Sequence, residues 1–66
     1  MHVIINAKQQ EIPDASNLTQ LLVFLNLENK RLAIEVNKEL VLRSLFSEYQ
    51  LQDNDQIEIV QAIGGG

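Results

Sequence analysis

Only one stretch of this chain repeats its apolar residues with a helical period. Leu18, Leu21, Leu22 and Leu25 recur at i, i+3, i+4 and i+7, which is one face of an amphipathic helix. Asn17 stands where an N-cap is needed, and Gln20 follows three residues later in capping-box position. Ser16 is the competing cap. The pattern ends near Asn26, and Leu27 to Arg31 reads as a polar connection. A single helix with one apolar face needs an apolar sheet to cover it.

The rest of the chain reads as strands. His2 to Asn6 is rich in β-branched residues, and Gln9 to Ile12 is a second short strand ending at Pro13. The turn between them contains Asn6, which tolerates the left-handed backbone of tight hairpins. Pro13 to Asn17 is loop. Leu32, Ile34 and Val36 alternate with Ala33 and Glu35, as in a half-buried strand. Asn37-Lys38 then turns into a strand over Glu39 to Leu42. Ser44 to Tyr49 is expected to form a single helical turn, with Ser44 as its cap. Leu51 to Asp55 is loop, with Asn54 at its left-handed position. Gln56 to Ala62 is the last strand, with Ile57 and Ile59 inward and Glu58 and Val60 outward. The order strand, strand, helix, strand, strand, short turn, strand gives an α+β fold of about five short strands packed on one helix. Residues 1–63 form the domain, and Gly64, Gly65 and Gly66 form a flexible tail. The expected core is Val3, Ile5, Leu21, Leu22, Leu25, Ile34, Val36, Ile57 and Ile59.

Composition removes several functions. A chain of 66 residues has little length to spare for an enclosed catalytic cavity beside its core. It contains no cysteine, so disulfides, thiolate metal sites and cysteine nucleophiles are excluded. Packing alone must stabilise it, which suits a reducing cytosol, and a cytoplasmic location is expected. Five basic against nine acidic side chains give a net charge of −4, and Lys30-Arg31 is the only adjacent basic pair. Nucleic-acid binding is therefore disfavoured, and a partner with a basic surface is favoured. No segment has the pattern of a signal peptide or the length of a membrane span.

Other chemistry-bearing residues have plain structural readings. His2 is the sole histidine and is expected on a solvent-facing strand position, since it cannot build a zinc site alone. Asp53 and Asp55 flank a turn and lack the later glycine and glutamate of a calcium loop. Ser44 and Ser47 have no histidine partner in sequence context. Phe46 and Tyr49 are expected to pack in or near the core. Lys8, Lys30 and Lys38 are solvated, and nothing fixes a partner for Arg43. No catalytic or metal-ligating residue is assigned.

The tail is the exception. Three glycines at the end of the sequence form a thin thread that can enter a narrow channel and lie against its backbone. The last of them presents a carboxylate with no side chain crowding its carbonyl carbon. Such a carboxylate is a poor electrophile until it is joined to AMP as a mixed anhydride. A sulfur nucleophile can then attack the carbonyl and leave a thiocarboxylate. The chain has no Gly-rich phosphate loop before a helix, so ATP must be bound by a separate protein. No internal thiol competes for the activated group. Without that chemistry, the glycines are an ordinary chain end or a scar of expression.

The hairpin, the Asn17-capped helix, Val36-Asn37-Lys38-Glu39, the run Leu51 to Ile59 and the terminal glycines fall in an order that resembles the ThiS family. These are the sulfur carriers of thiamine thiazole synthesis. The resemblance covers the whole chain, departing at Asn54, where the family often has glycine; asparagine tolerates the same backbone. It implies a ubiquitin-like β-grasp with the first and last strands as parallel neighbours. It also implies that Gly66 is adenylated by an E1-like adenylyltransferase and converted to a thiocarboxylate. The sulfur would come from a desulfurase-type donor and pass to thiazole synthase. No cofactor is bound stably, and ATP belongs to the partner enzyme. The alternatives are the small subunit of molybdopterin synthase, a conjugated modifier and a non-covalent interaction module.

Strand alternation adds a docking surface. With Val3 and Ile5 inward, Ile4 faces outward, as does Val60. If the first and last strands are neighbours, Ile4 and Val60 are expected to lie together. Ala33, Ala62 and Ile63 would extend the patch and Glu35 and Glu58 would edge it.

Overall fold

Two asparagines open the two hairpins. Asn6 and Ala7 have φ of 49° and 69°, and Asn37 and Lys38 have 52° and 71°. Two consecutive left-handed residues make the turn whose twist matches paired strands. In the computed structural model, which describes residues 1–61, the first turn joins β1 (His2–Ile5) to β2 (Lys8–Glu11). The second joins β3 (Leu32–Val36) to β4 (Glu39–Val41), and β5 is Gln56–Gln61.

The five strands form one mixed sheet in the order β2-β1-β5-β3-β4. β5 lies at its centre, parallel to β1 and antiparallel to β3. Ile5 sits opposite Ile57, and Val36 lies opposite Ile57 from the other side. The first and last strands are parallel neighbours, as expected.

The helix α1 (Leu18–Phe24) packs on one face. Its capping box is complete: the Gln20 N–H donates to the Asn17 side chain at 2.8 Å, and the Asn17 N–H donates to Gln20 Oε1 at 2.9 Å. Ser16 does not compete; its hydroxyl donates to the Pro13 carbonyl at 2.7 Å. Asn26, at φ 63°, ends the helix through the left-handed backbone that asparagine tolerates. Seven residues are too few to hold a helix by themselves, so burial of Leu18, Leu21 and Leu22 is what sustains it.

All the expected core positions are buried except Leu25, which is half-buried at the C-cap. The core also takes in Ile12, Leu18, Val41, Phe46 and Leu51. Residues after β4 depart from expectation. A 3-10 helix spans Arg43–Glu48, longer than a single turn, and Ser44 lies within it. Leu42 occupies its N-cap and makes no side-chain capping bond. The segment is held from outside: Phe46 is buried, the Leu18 N–H donates to the Tyr49 carbonyl at 3.2 Å, and the Leu51 N–H donates to the Ser16 carbonyl at 2.9 Å.

The acidic loop braces the sheet. The Asp53 carboxylate accepts the His2 N–H at 2.8 Å, and the Asp55 carboxylate accepts the Gln52 N–H at 2.8 Å and the Asn37 amide at 3.0 Å. Asn54 takes the left-handed position, with φ 71°.

Candidate functional site

β5 is the last element described before the glycines. Its last described residue is Gln61, so the expectations for Ala62, Ile63, Gly64, Gly65 and Gly66 lie outside the described residues.

At the end of β5, the exposed face of the sheet forms a shallow hollow lined by Arg31, Leu32, Ala33, Arg43, Val60 and Gln61. Ala33 lies opposite Val60 in the β3–β5 register. Val60 is 65% exposed, a large apolar side chain left in water. Arg43 reaches the rim from the 3-10 helix and is fixed there. Its guanidinium donates to the Lys30 carbonyl at 2.8 Å and sits 5.7 Å from the centre of the Phe46 ring, within cation–π range. Among the described residues neither arginine meets a carboxylate at ion-pair distance. A locally basic rim therefore lies within a chain whose net charge is −4.

Glu35 and Glu58 edge the apolar pair on the other side, as expected. They face each other directly across the β3–β5 ladder, and both are exposed. Like charges directly opposite on a sheet oppose folding by roughly 0.2–1 kcal/mol. The exposed face is thus graded: basic at the tail root, apolar at Ala33 and Val60, acidic at Glu35 and Glu58.

Ile4 does not belong to this patch. It lies opposite Gln56 in the parallel register, whereas Val60 lies opposite Ala33 four residues further along β5. At the usual rise that separates them by about 13 Å. Alternation put both side chains on one face, but the register between β1 and β5 set their distance. Ile4 is also half-buried. Arg31 and Arg43 take its place beside Val60. Arg31 was within reach of a sequence reading, because it immediately precedes β3. Arg43 was not, since its position depends on the 3-10 helix and on Phe46 turning inward.

A second apolar hollow, lined by Leu40, Leu42, Leu45 and Tyr49 among others, lies at the β4 edge. Burial there raises the Tyr49 phenol above its ordinary pKa, with the Asp55 and Glu39 charges adding to the shift. His2 is exposed, and Lys8, Lys30 and Lys38 are solvated. Among the described residues no group of three or more His, Asp or Glu side chains gathers as a metal site would require. Among the described residues no helix is long and apolar enough to cross a membrane.

Comparison with known proteins agrees on one family. A family model described as the ThiS family matches residues 3–66. The sulfur carrier protein ThiS of Bacillus subtilis is 42% identical over 53 residues, covering 80% of each chain. A thiazole synthase of Paramagnetospirillum magneticum is 32% identical over all 66 residues, and the chain spans only 20% of that protein's length. The crystal structure of the thiamine biosynthesis protein ThiS from Geobacter metallireducens superposes with a TM-score of 0.86 over the whole of both chains, at 28% identity.

Proposed function

The chain belongs to the ThiS family, and on that premise we propose that Gly66 is the group on which it carries sulfur. It is a small sulfur carrier of thiamine biosynthesis with the β-grasp fold, and its part is to be loaded and unloaded rather than to catalyse. The observation that supports the finer reading is that Gly64-Gly65-Gly66 follow, two residues on in the sequence, the strand at the centre of the sheet.

The chemistry follows from the terminal carboxylate. A Gly66 oxygen attacks the α-phosphate of ATP on an E1-like adenylyltransferase, and pyrophosphate leaves. A sulfur nucleophile at the oxidation level of hydrosulfide then attacks the carbonyl carbon of the adenylate. AMP departs with the C–O bond, and a C–S bond takes its place. If a desulfurase-type donor presents the sulfur as a persulfide, the product is an acyl disulfide. A thiol must then reduce its S–S bond to free the thiocarboxylate. Gly64 and Gly65 lack a Cβ, which lets the thread pass through a channel too narrow for other residues.

Thiazole synthase is the acceptor in this reading. It is supported by relatives of that name containing a segment that matches this entire chain. The hollow around Val60 and Ala33 is the docking surface, and Ala62 and Ile63, which follow β5 in the sequence, are assigned to it as well. It has an apolar centre and a charged rim, a common form for protein recognition. Docking at the root aims the tail and reduces the entropy lost when the thread is captured.

Intact mass spectrometry tests the reading. After incubation with ATP, the adenylating enzyme and a sulfur source, the chain should gain the mass of one oxygen replaced by sulfur, localised to a C-terminal Gly66. A variant lacking Gly66, or extended beyond it, should gain none while keeping its fold. Sulfur loading of a chain without Gly65 and Gly66 would refute the assignment.

A further inference from the structure

β5 is central, so its backbone needs partners on both sides. Its register shows which residues face which neighbour. The carbonyls of Asp55 and Ile57 accept N–H groups from Ile4 and Asn6, both at 2.9 Å, so the odd-numbered residues face β1. The even-numbered Glu58 and Val60 face β3, opposite Glu35 and Ala33. β1 ends at Ile5 and turns away through Asn6 and Ala7. The backbone of Ile59, next in line on the β1 side, should therefore be left without a partner.

The Asn6 side chain fills that place. The Ile59 N–H donates to Asn6 Oδ1 at 2.8 Å, and Asn6 Nδ2 donates to the Ile59 carbonyl at 3.2 Å. Both bonds are partly buried. A carboxamide has the donor and acceptor of a peptide unit, so Asn6 extends β1 by one residue after the main chain has departed. The orientation of the amide is fixed, since a backbone N–H requires its oxygen and a backbone carbonyl requires its nitrogen. Glycine would satisfy the turn equally well but offers neither bond.

Past Ile59 the odd-numbered Gln61 faces the same side, and among the described residues nothing pairs with it there. Among the described residues Asn6 is thus the last anchor on one flank of β5, while on the other the pairing with β3 runs on through Ala33–Val60 to Leu32–Gln61.

We propose that Asn6 is a positioning residue for sulfur loading: its bonds to Ile59 fix the root of the tail so that Gly66 reaches the partner's active centre in register. This rests on the reading of Gly66 as the sulfur-bearing group. Without the Asn6 side chain, β5 is held beyond Ile57 from the β3 side alone. The tail root then swings, and the terminus is presented in many orientations instead of few. The docking hollow does not include Asn6, so recognition is unaffected. The defect falls on productive placement of the carboxylate.

The test uses the full chain with the adenylating enzyme that loads the wild type. Asn6→Gly keeps the left-handed turn and removes both bonds. Asn6→Asp keeps an acceptor for the Ile59 N–H but sets a negative oxygen against the Ile59 carbonyl. Asn6→Gly should lower kcat for adenylate formation roughly tenfold with KM unchanged, within the range that misplacement of reacting groups produces. Asn6→Asp should fall between it and the wild type. In hydrogen exchange the Ile59 amide should lose protection while Val3 and Leu21 keep theirs. Wild-type kcat in a variant whose Ile59 amide exchanges freely overturns the proposal. So does a loss of kcat that tracks the unfolded fraction and disappears on cooling, because that marks a purely structural role. If the wild type itself is never adenylated, the Gly66 reading fails first, and this proposal with it.

Discussion

The two faces of the sheet are made by alternate residues of the same strands, yet they are built to different rules. Toward α1, Val3, Ile5, Ile34, Val36, Ile57 and Ile59 are all buried. On the other side Ala33, Glu35, Glu58 and Val60 stand in water, and Arg43 reaches over from the 3-10 helix. The inner face is uniform because its task is exclusion of water, which is non-directional and rewards any well-packed apolar group. The outer face is graded in charge along β5, basic where the strand ends, apolar at Ala33 and Val60, and acidic at Glu35 and Glu58. Stability has no use for that grading, and the Glu35–Glu58 pair acts against it. The difference separates what holds the domain from what presents it to a partner.

If that separation is real, each face can be damaged alone. The largest effect is expected at Leu22, buried where α1 meets the sheet. Leu22→Ala should destabilise the domain by about 2–5 kcal/mol, from lost transfer energy plus the cavity left behind. For so small a domain that is a large fraction of the total. Denaturant unfolding measures it, and partner affinity of the remaining folded molecules should be unchanged. A loss under 1 kcal/mol would mean that the helix–sheet contact is not the main support.

Val60→Asp probes the other face. It should weaken binding to the adenylating enzyme and to thiazole synthase by roughly tenfold, equivalent to 1.4 kcal/mol, with little change in unfolding free energy. Calorimetric titration against each partner reads it directly. Affinity unchanged from the wild type for both partners would remove the hollow from the mechanism.

A smaller effect sharpens the contrast, because stability and binding should move in opposite directions. Glu58→Lys replaces a cross-strand repulsion with Glu35 by an attraction. Stability should rise by about 0.2–1 kcal/mol, and partner binding should weaken as the acidic edge is lost. If both rise together, the acidic edge has no part in docking.

The smallest effect belongs to neither face. The Met1 ammonium donates to Asp14 at 2.7 Å on the surface. The hydrogen bond to Asp14 raises the pKa of the ammonium, and the same bond lowers that of Asp14. The raised group contributes stability at pH below its unfolded value and loses it as pH climbs through the folded one. The lowered group contributes above its unfolded value and loses it as pH falls through the folded one. The pair therefore acts between the two, across neutral pH. In thermal unfolding as a function of pH, Asp14→Asn should flatten both shoulders slightly. Superimposable curves for variant and wild type would show that solvent screens the pair completely.

Much of this was legible in the residues. The helix was readable because its cap, its capping-box glutamine and four leucines at helical spacing agree with one another, and nothing in the tertiary structure competes with them. The hairpin over β3 and β4 was readable because two short strand patterns are separated by Asn37 and Lys38 and Asn37 tolerates the left-handed backbone of a two-residue turn, which fixes the pairing of Val36 with Glu39. The 3-10 helix was misread because its residues carry little local preference. Phe46 and the contacts of Tyr49 and Leu51 with the start of α1 hold it, and those contacts are remote in sequence.

The sequence by itself determined most of the residues that face the core, where the chain turns, and that three glycines come after the last strand. These follow from side-chain period and backbone sterics, which act within a few residues. Only the tertiary structure decided what lies beside what. Parallel pairing of β1 with β5 joins strands some fifty residues apart, and no local rule sets its register. That register moved Ile4 away from Val60 and brought Asn6 against Ile59, while the pairing of β3 with β5 and the 3-10 helix set Arg31 and Arg43 beside Val60.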